Sequence, residues 1–183
     1  MSKNGLILLK PTSISYSGTS ATNSSRGLVE FTACTSVSLN GVFSANYINY
    51  MVVAHHTGST AATLKGRLRS AGVDATASNY NQQFYEFYNT TKNAGRNNNQ
   101  ADMNFGPIGS GYRAGHVIWI YGPFLSQPTA LRNISTGPWS AAFPGYIVDE
   151  TNTHSLSTSY DGITFFPAAG SMTGNVAIYG MRN

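Results

Sequence analysis

No stretch of this chain long enough for a stable helix spaces its apolar residues at a helical period. They fall instead in short runs, either alternating or continuous, and Gly, Pro, Asn and Ser clusters separate the runs. This punctuation constrains the fold strongly, because strands need such runs and their connections need residues that accept turn geometry. Leu64, Gly66 and Leu68 alternate with Lys65, Arg67 and Arg69, which predicts a half-buried strand with a basic outer face. Val117, Trp119 and Tyr121 alternate with His116, Ile118 and Ile120. Residues 47–56 form a continuous apolar run, as expected of a strand covered on both faces. Further strands are expected over 27–33, 35–39, 84–89, 162–166 and 174–179. Residues 70–72, 93–99, 106–111, 135–138 and 168–174 read as turns, since Gly and Asn tolerate positive φ and Pro presets a bend. The pattern predicts an all-β fold, an antiparallel β-sandwich of jelly-roll type, with neither a coiled-coil shaft nor a solenoid.

The first 26 residues differ from the rest. An apolar stretch, Leu6, Ile7, Leu8 and Leu9, is followed by residues almost wholly Ser, Thr, Gly, Ala and Asn. Such a segment has little to bury. It reads as an extended N-terminal arm over 1–26, with the sandwich domain over 27–183. The arm is either a frayed end or a strand that docks onto a neighbouring subunit. The apolar stretch is too short for a membrane span and lacks a cleavage site, so neither a membrane nor a signal peptide is expected.

Charged residues make up only 10% of the 183, against roughly 25% in an average soluble protein. Neutral polar side chains must therefore supply solubility, and a surface of that kind suits packing against other proteins. The net charge of +4 is scattered and forms no basic run, so nucleic acid is not an expected partner.

Catalysis requires convergent groups. The seven carboxylates are Glu30, Asp74, Glu86, Asp102, Asp149, Glu150 and Asp161, and no motif pairs any two of them. His55 and His56 are adjacent on a strand and so point to opposite faces, while His116 and His154 stand apart in sequence. No zinc or calcium spacing, phosphate loop or dinucleotide fingerprint occurs. Cys34, the single cysteine, reads as a buried thiol. No enzyme activity, cofactor or metal is expected.

Aromatics are abundant, and Tyr80, Phe84, Tyr85, Phe87 and Tyr88 cluster in one strand region. Some must be core, but Tyr also suits protein interfaces and sugar-stacking faces because a flat apolar ring carries a polar tip. Tyr85 and Tyr88 are therefore candidate partner contacts, with Leu6 to Leu9 and the arginines Arg67 and Arg69.

Several stretches carry a family resemblance. These are the opening Met1-Ser-Lys-Asn-Gly-Leu-Ile-Leu-Leu-Lys-Pro-Thr, then Ser38-Leu-Asn-Gly-Val-Phe-Ser with Tyr47-Ile-Asn-Tyr-Met-Val-Val, the run Leu64-Lys-Gly-Arg-Leu-Arg-Ser-Ala-Gly-Val-Asp, and the closing Gly174-Asn-Val-Ala-Ile-Tyr-Gly-Met-Arg-Asn. They resemble small β-sandwich virion proteins of tailed phages, notably phages of cyanobacteria. Ile48 departs from the pattern, where family members often carry Asp, and residues 90–160 match weakly. The resemblance implies a virion protein without catalytic residues. It leaves two roles: a subunit that decorates or cements the capsid, and a receptor-binding tip of a tail fibre or spike that grips host protein or glycan. The expected partners are the major capsid protein or other virion subunits and further copies of the chain, as a trimer or other small ring. Because the β-module begins almost at once, with no shaft before it, the first role is the expectation, with a location on the capsid exterior.

Overall fold

A computed structural model describes residues 5–141 and 144–181. Among the described residues there are fourteen strands and no helix. In chain order they are β1 (Leu6–Leu9), β2 (Ser13–Asn23), β3 (Val29–Asn40), β4 (Asn49–Gly58), β5 (Ala62–Ser70), β6 (Val73–Asp74), β7 (Tyr80–Tyr88), β8 (Thr91–Gln100), β9 (Met103–Ile108), β10 (Ala114–Tyr121), β11 (Thr129–Gly137), β12 (Tyr146–His154), β13 (Gly162–Pro167) and β14 (Met172–Met181).

All strand pairs are antiparallel, and one continuous hydrogen-bonded path curls into two layers. One layer runs β14-β4-β10-β11-β12-β7-β8, and the other holds β13 and β5, with β6 and β9 on β5. Strand β3 joins the layers by changing partner along its length, from β14 at Val29–Cys34 to β13 at Val37–Leu39. The change falls at a bulge where Ala33 has φ 48° and Gly18 of β2 lies opposite Cys34. A Cβ on Gly18 would sit 2.4 Å from the Ala33 carbonyl oxygen, so this corner requires glycine.

The core lies between the layers. Val52, Ile118, Ile120 and Leu131 of one layer and Leu64, Leu68, Ile163 and Phe165 of the other are buried. Each such side chain contributes about 1.5–3 kcal/mol on burial. Strand β9 crosses above β11 and β12, and its Met103, Phe105 and Ile108 are fully buried. The predicted all-β sandwich is thus the observed class.

Three readings of the sequence need correction here. The segment expected to project as an arm belongs to the sheet from Leu6 to Asn23. Strand β1 pairs with the chain's own β14, Leu6 opposite Met181 and Leu9 opposite Ile178. Strand β2 pairs along β3. Its side chains are mostly exposed, so no hydrophobic signal marks it; the backbone ladder holds it, with Ile14 and Ala21 packed against the core. Residues 6–9 and 13–23 are thus paired within the sheet, and residues 1–4 lie outside the described set. Residues 93–99, read as a turn, belong to the edge strand β8, whose Lys, Arg and Asn side chains suit an uncovered edge. Of residues 135–138, also read as a turn, 135–137 are the end of β11 and pair with β12.

Candidate functional site

Strands β11, β12 and β7 bury polar side chains where the rest of the sheet buries aliphatic ones. Asn133, Ser135, Glu150, Asn152 and Gln82 all point inward and are buried. Above them β9 leaves a groove lined by Gln82, Glu86, Asn97, Asn104, Trp139, Tyr146 and Glu150, with Thr63, Phe84, Gly106, Pro107 and Val148 completing it. It encloses about 150 Å³. A void of about that size accommodates one six-membered ring. Gly106 lets β9 approach closely: it has φ +86°, and a Cβ there would sit 2.1 Å from Ser135 Oγ.

Glu150 organises the floor. Asn133 Nδ2 donates to its Oε1 at 3.0 Å, and Gln82 Nε2 donates to its Oε2. Gln82 Oε1 in turn accepts from Asn97 at 2.7 Å and Asn104 at 3.1 Å. Burial pushes the Glu150 carboxyl up to about 8, and the nearby Glu86 and Asp149 carboxylates add to the rise, although the two amide donors oppose it. At the rim, Glu86 accepts from Tyr146 Oη at 2.6 Å and from Asn93 Nδ2 at 2.6 Å. Tyr146 stacks on Tyr88 with centroids 5.1 Å apart and planes 2° from parallel, and Trp139 lies 5.9 Å from the Tyr146 ring. One wall of the groove is therefore flat and aromatic, and its floor presents amide donors and acceptors. Among the described residues, no three His, Cys, Asp or Glu side chains converge as a metal site.

The partner contacts expected from the sequence scatter. Tyr88 shares the groove face through its stack on Tyr146, whereas Tyr85, 46% exposed, lies on the opposite face of β7. Arg69 is a correction: read as an exposed outer-face arginine, it is 7% exposed. Its guanidinium donates to Ser38 and Asn40 at 3.0 Å, to Thr164 at 2.7 Å, and to Asp74 and the Gly72 carbonyl. The β6 turn folds over the strand and buries what alternation alone marked as exposed. Arg67 is partly covered, ion-paired with Asp102 at 3.6 Å and stacked 4.7 Å over Phe166. Leu6 to Leu9 are committed to β14.

Sequence spacing also missed a histidine pair. His56 and His116 stack in the interior with centroids 4.7 Å apart. Burial pushes His56 down to about 4 and His116 well below its ordinary value, and each ring further disfavours charge on a neighbour: His55 acts on His56, and His56 acts on His116. Cys34 is buried, its Sγ 3.1 Å from the Ser20 carbonyl, and burial pushes the thiol up.

The outer face of the larger layer carries apolar rows that run across strands in register. Ala177, Val53, Val117 and Ile134 are direct neighbours across β14, β4, β10 and β11, and Asp149 and Tyr85 continue the row. Beside it run Leu8, Tyr179, Met51 and Trp119, ending at Arg132. Val53, Ile134 and Ile147 are 38%, 39% and 54% exposed, a concentration unusual on the outside of a sheet.

No protein-family model matches the chain, and no curated protein matches it. Among solved structures, the carbohydrate recognition domain of Emp47p aligns with 96% of this chain and 96% of its own, at 8% identity and a TM-score of 0.27. At that score the likeness carries no argument.

Proposed function

We propose that the chain is a non-enzymatic surface protein of a phage particle and that its groove holds a neutral saccharide of the host surface. The sequence landmarks support the particle assignment. The groove supports the ligand class: an aromatic wall of Trp139 and Tyr146 stands with the amides of Gln82, Asn97 and Asn104 around a space the size of one ring. Saccharides have apolar ring faces and hydroxyls that both donate and accept, which this combination meets. Glu86 at the rim repels anionic sugars, so neutral ones are preferred. Each oxygen of Glu86 and Glu150 accepts a side-chain hydrogen bond, which fixes the geometry of the groove's floor and rim.

The purified chain should bind members of an array of immobilised neutral glycans and not their sialylated or uronate counterparts. Trp139→Ala should weaken binding at least ~10-fold, in line with truncation of an aromatic anchor, and Tyr112→Ala, an exposed tyrosine outside the groove, should not. Equal binding by Trp139→Ala and wild type would remove the groove from the account.

The low share of charged residues, 10%, favours a second reading, capsid decoration through contacts with the major capsid protein or other virion subunits, since a neutral polar surface suits packing against other proteins.

A further inference from the structure

We infer that the outer face of the β14-β4-β10-β11-β12 sheet is a self-association surface whose occupant is a second copy of this chain. This inference is independent of the groove, which lies on the inner side of β12 and β7.

Size is the first argument. Five strands, β14, β4, β10, β11 and β12, lie side by side. At about 4.8 Å between strands and about 3.4 Å per residue over eight residues, the face measures roughly 19 by 27 Å. Two such faces bury about 1,000 Å² in total, the lower bound of a specific interface and the size of a weak, micromolar one. A smaller companion, such as a short peptide, would leave most of the apolar rows in water.

Charge is the second. The outward-facing side chains of β14, β4, β10, β11 and β12 include one arginine, Arg132, and one carboxylate, Asp149. They pair with each other at 2.7 Å at the end of the apolar rows, with side chains 51% and 42% exposed. The face is thus neutral although the chain carries +4, so two copies meet without repulsion. In a two-fold arrangement each Arg132 can exchange its partner for the Asp149 of the other copy, so the face complements itself. A strongly charged partner would find only this one pair to match.

Sedimentation velocity on the full chain across the micromolar range tests the inference. The wild type should sediment as a concentration-dependent dimer. Val53→Lys and Ile134→Lys should each remain monomeric at concentrations where the wild type is paired, and Val73→Lys, at an exposed apolar residue on the β6 turn, should pair like the wild type. Arg132→Asp should weaken pairing, and a mixture of Arg132→Asp with Asp149→Arg should pair better than either alone. Thermal melting of each variant separates lost association from lost folding. A wild type that is monomeric throughout the range, or face variants that are folded and pair as the wild type does, would overturn the inference; in the first case the occupant is a different protein.

Discussion

Arg69→Met is expected to destabilise the domain by ~3–5 kcal/mol, the range seen when one partner of a buried ion pair is removed. The methionine fills the channel but donates nothing. Asp74 loses its cationic partner, and Ser38, Asn40, Thr164 and the Gly72 carbonyl each lose a donor. Asp74 and Thr164 still bond to each other at 2.7 Å, which limits the loss. The network spans β3, β5, β13 and the β6 turn, so the smaller layer depends on it. Arg67→Met is the comparison. Its ion pair is partly exposed, so a loss of ~1 kcal/mol or less is expected. Urea denaturation of both variants measures the difference as a shift in midpoint at unchanged slope. Similar midpoints for the two variants would contradict the assignment of Arg69 as structural.

Stability should peak between about pH 6 and 7 and fall on both sides, and Glu150→Gln should remove most of the alkaline fall. The Glu150 carboxyl is raised from 4.5 to about 8, so the native state holds a proton that the unfolded chain releases. That stabilisation is complete below pH 4.5 and is lost as pH rises towards about 8. A shift of this size is worth up to ~5 kcal/mol. The buried histidines act in the other direction. His56 falls from 6.5 to about 4, and His116 and His154 are lowered too, all chiefly by burial, so the native state resists protons that the unfolded chain binds. Their stability is complete above pH 6.5 and is lost as pH falls towards about 4. Melting temperatures of wild type and Glu150→Gln between pH 5 and 9 test this through slopes, so any constant offset from the new amide does not matter. Parallel curves above pH 6 would show that Glu150 is not held protonated.

The layers that bury aliphatic side chains were legible in the sequence, and those that bury polar ones were not. Strands β4, β5, β10, β13 and β14 announce themselves through Val52, Leu64, Leu68, Ile118, Ile120, Ile163 and Ile178. Strands β11 and β12 alternate just as regularly, but their buried positions include Thr129, Asn133, Ser135, Glu150, Asn152 and His154, which hydropathy counts as surface. The groove was hidden for the same reason. Its residues come from β5, β7, β8, β9, β12 and the β11–β12 connection, and nothing local links Glu86 to Tyr146 or Gln82 to Glu150. Alternation around Lys65, Arg67 and Arg69 gave the strand correctly but not the turn that covers Arg69. The polar run in β2 had no apolar period to read, because the backbone ladder with β3 holds most of it and only Ile14 and Ala21 reach the core. One further signal was available: Trp139, just past the segment 135–138 read as a turn, is an aromatic with no strand to pack under.

Whether the chain is a component of a phage particle is tested most directly by quantifying it in purified particles against the major capsid protein. The proposed function predicts that it is present at a fixed ratio, far below that of the capsid subunit if it serves as a receptor-binding tip and comparable to it if it decorates the lattice. Absence of the chain from purified infectious particles would contradict the proposal in both forms.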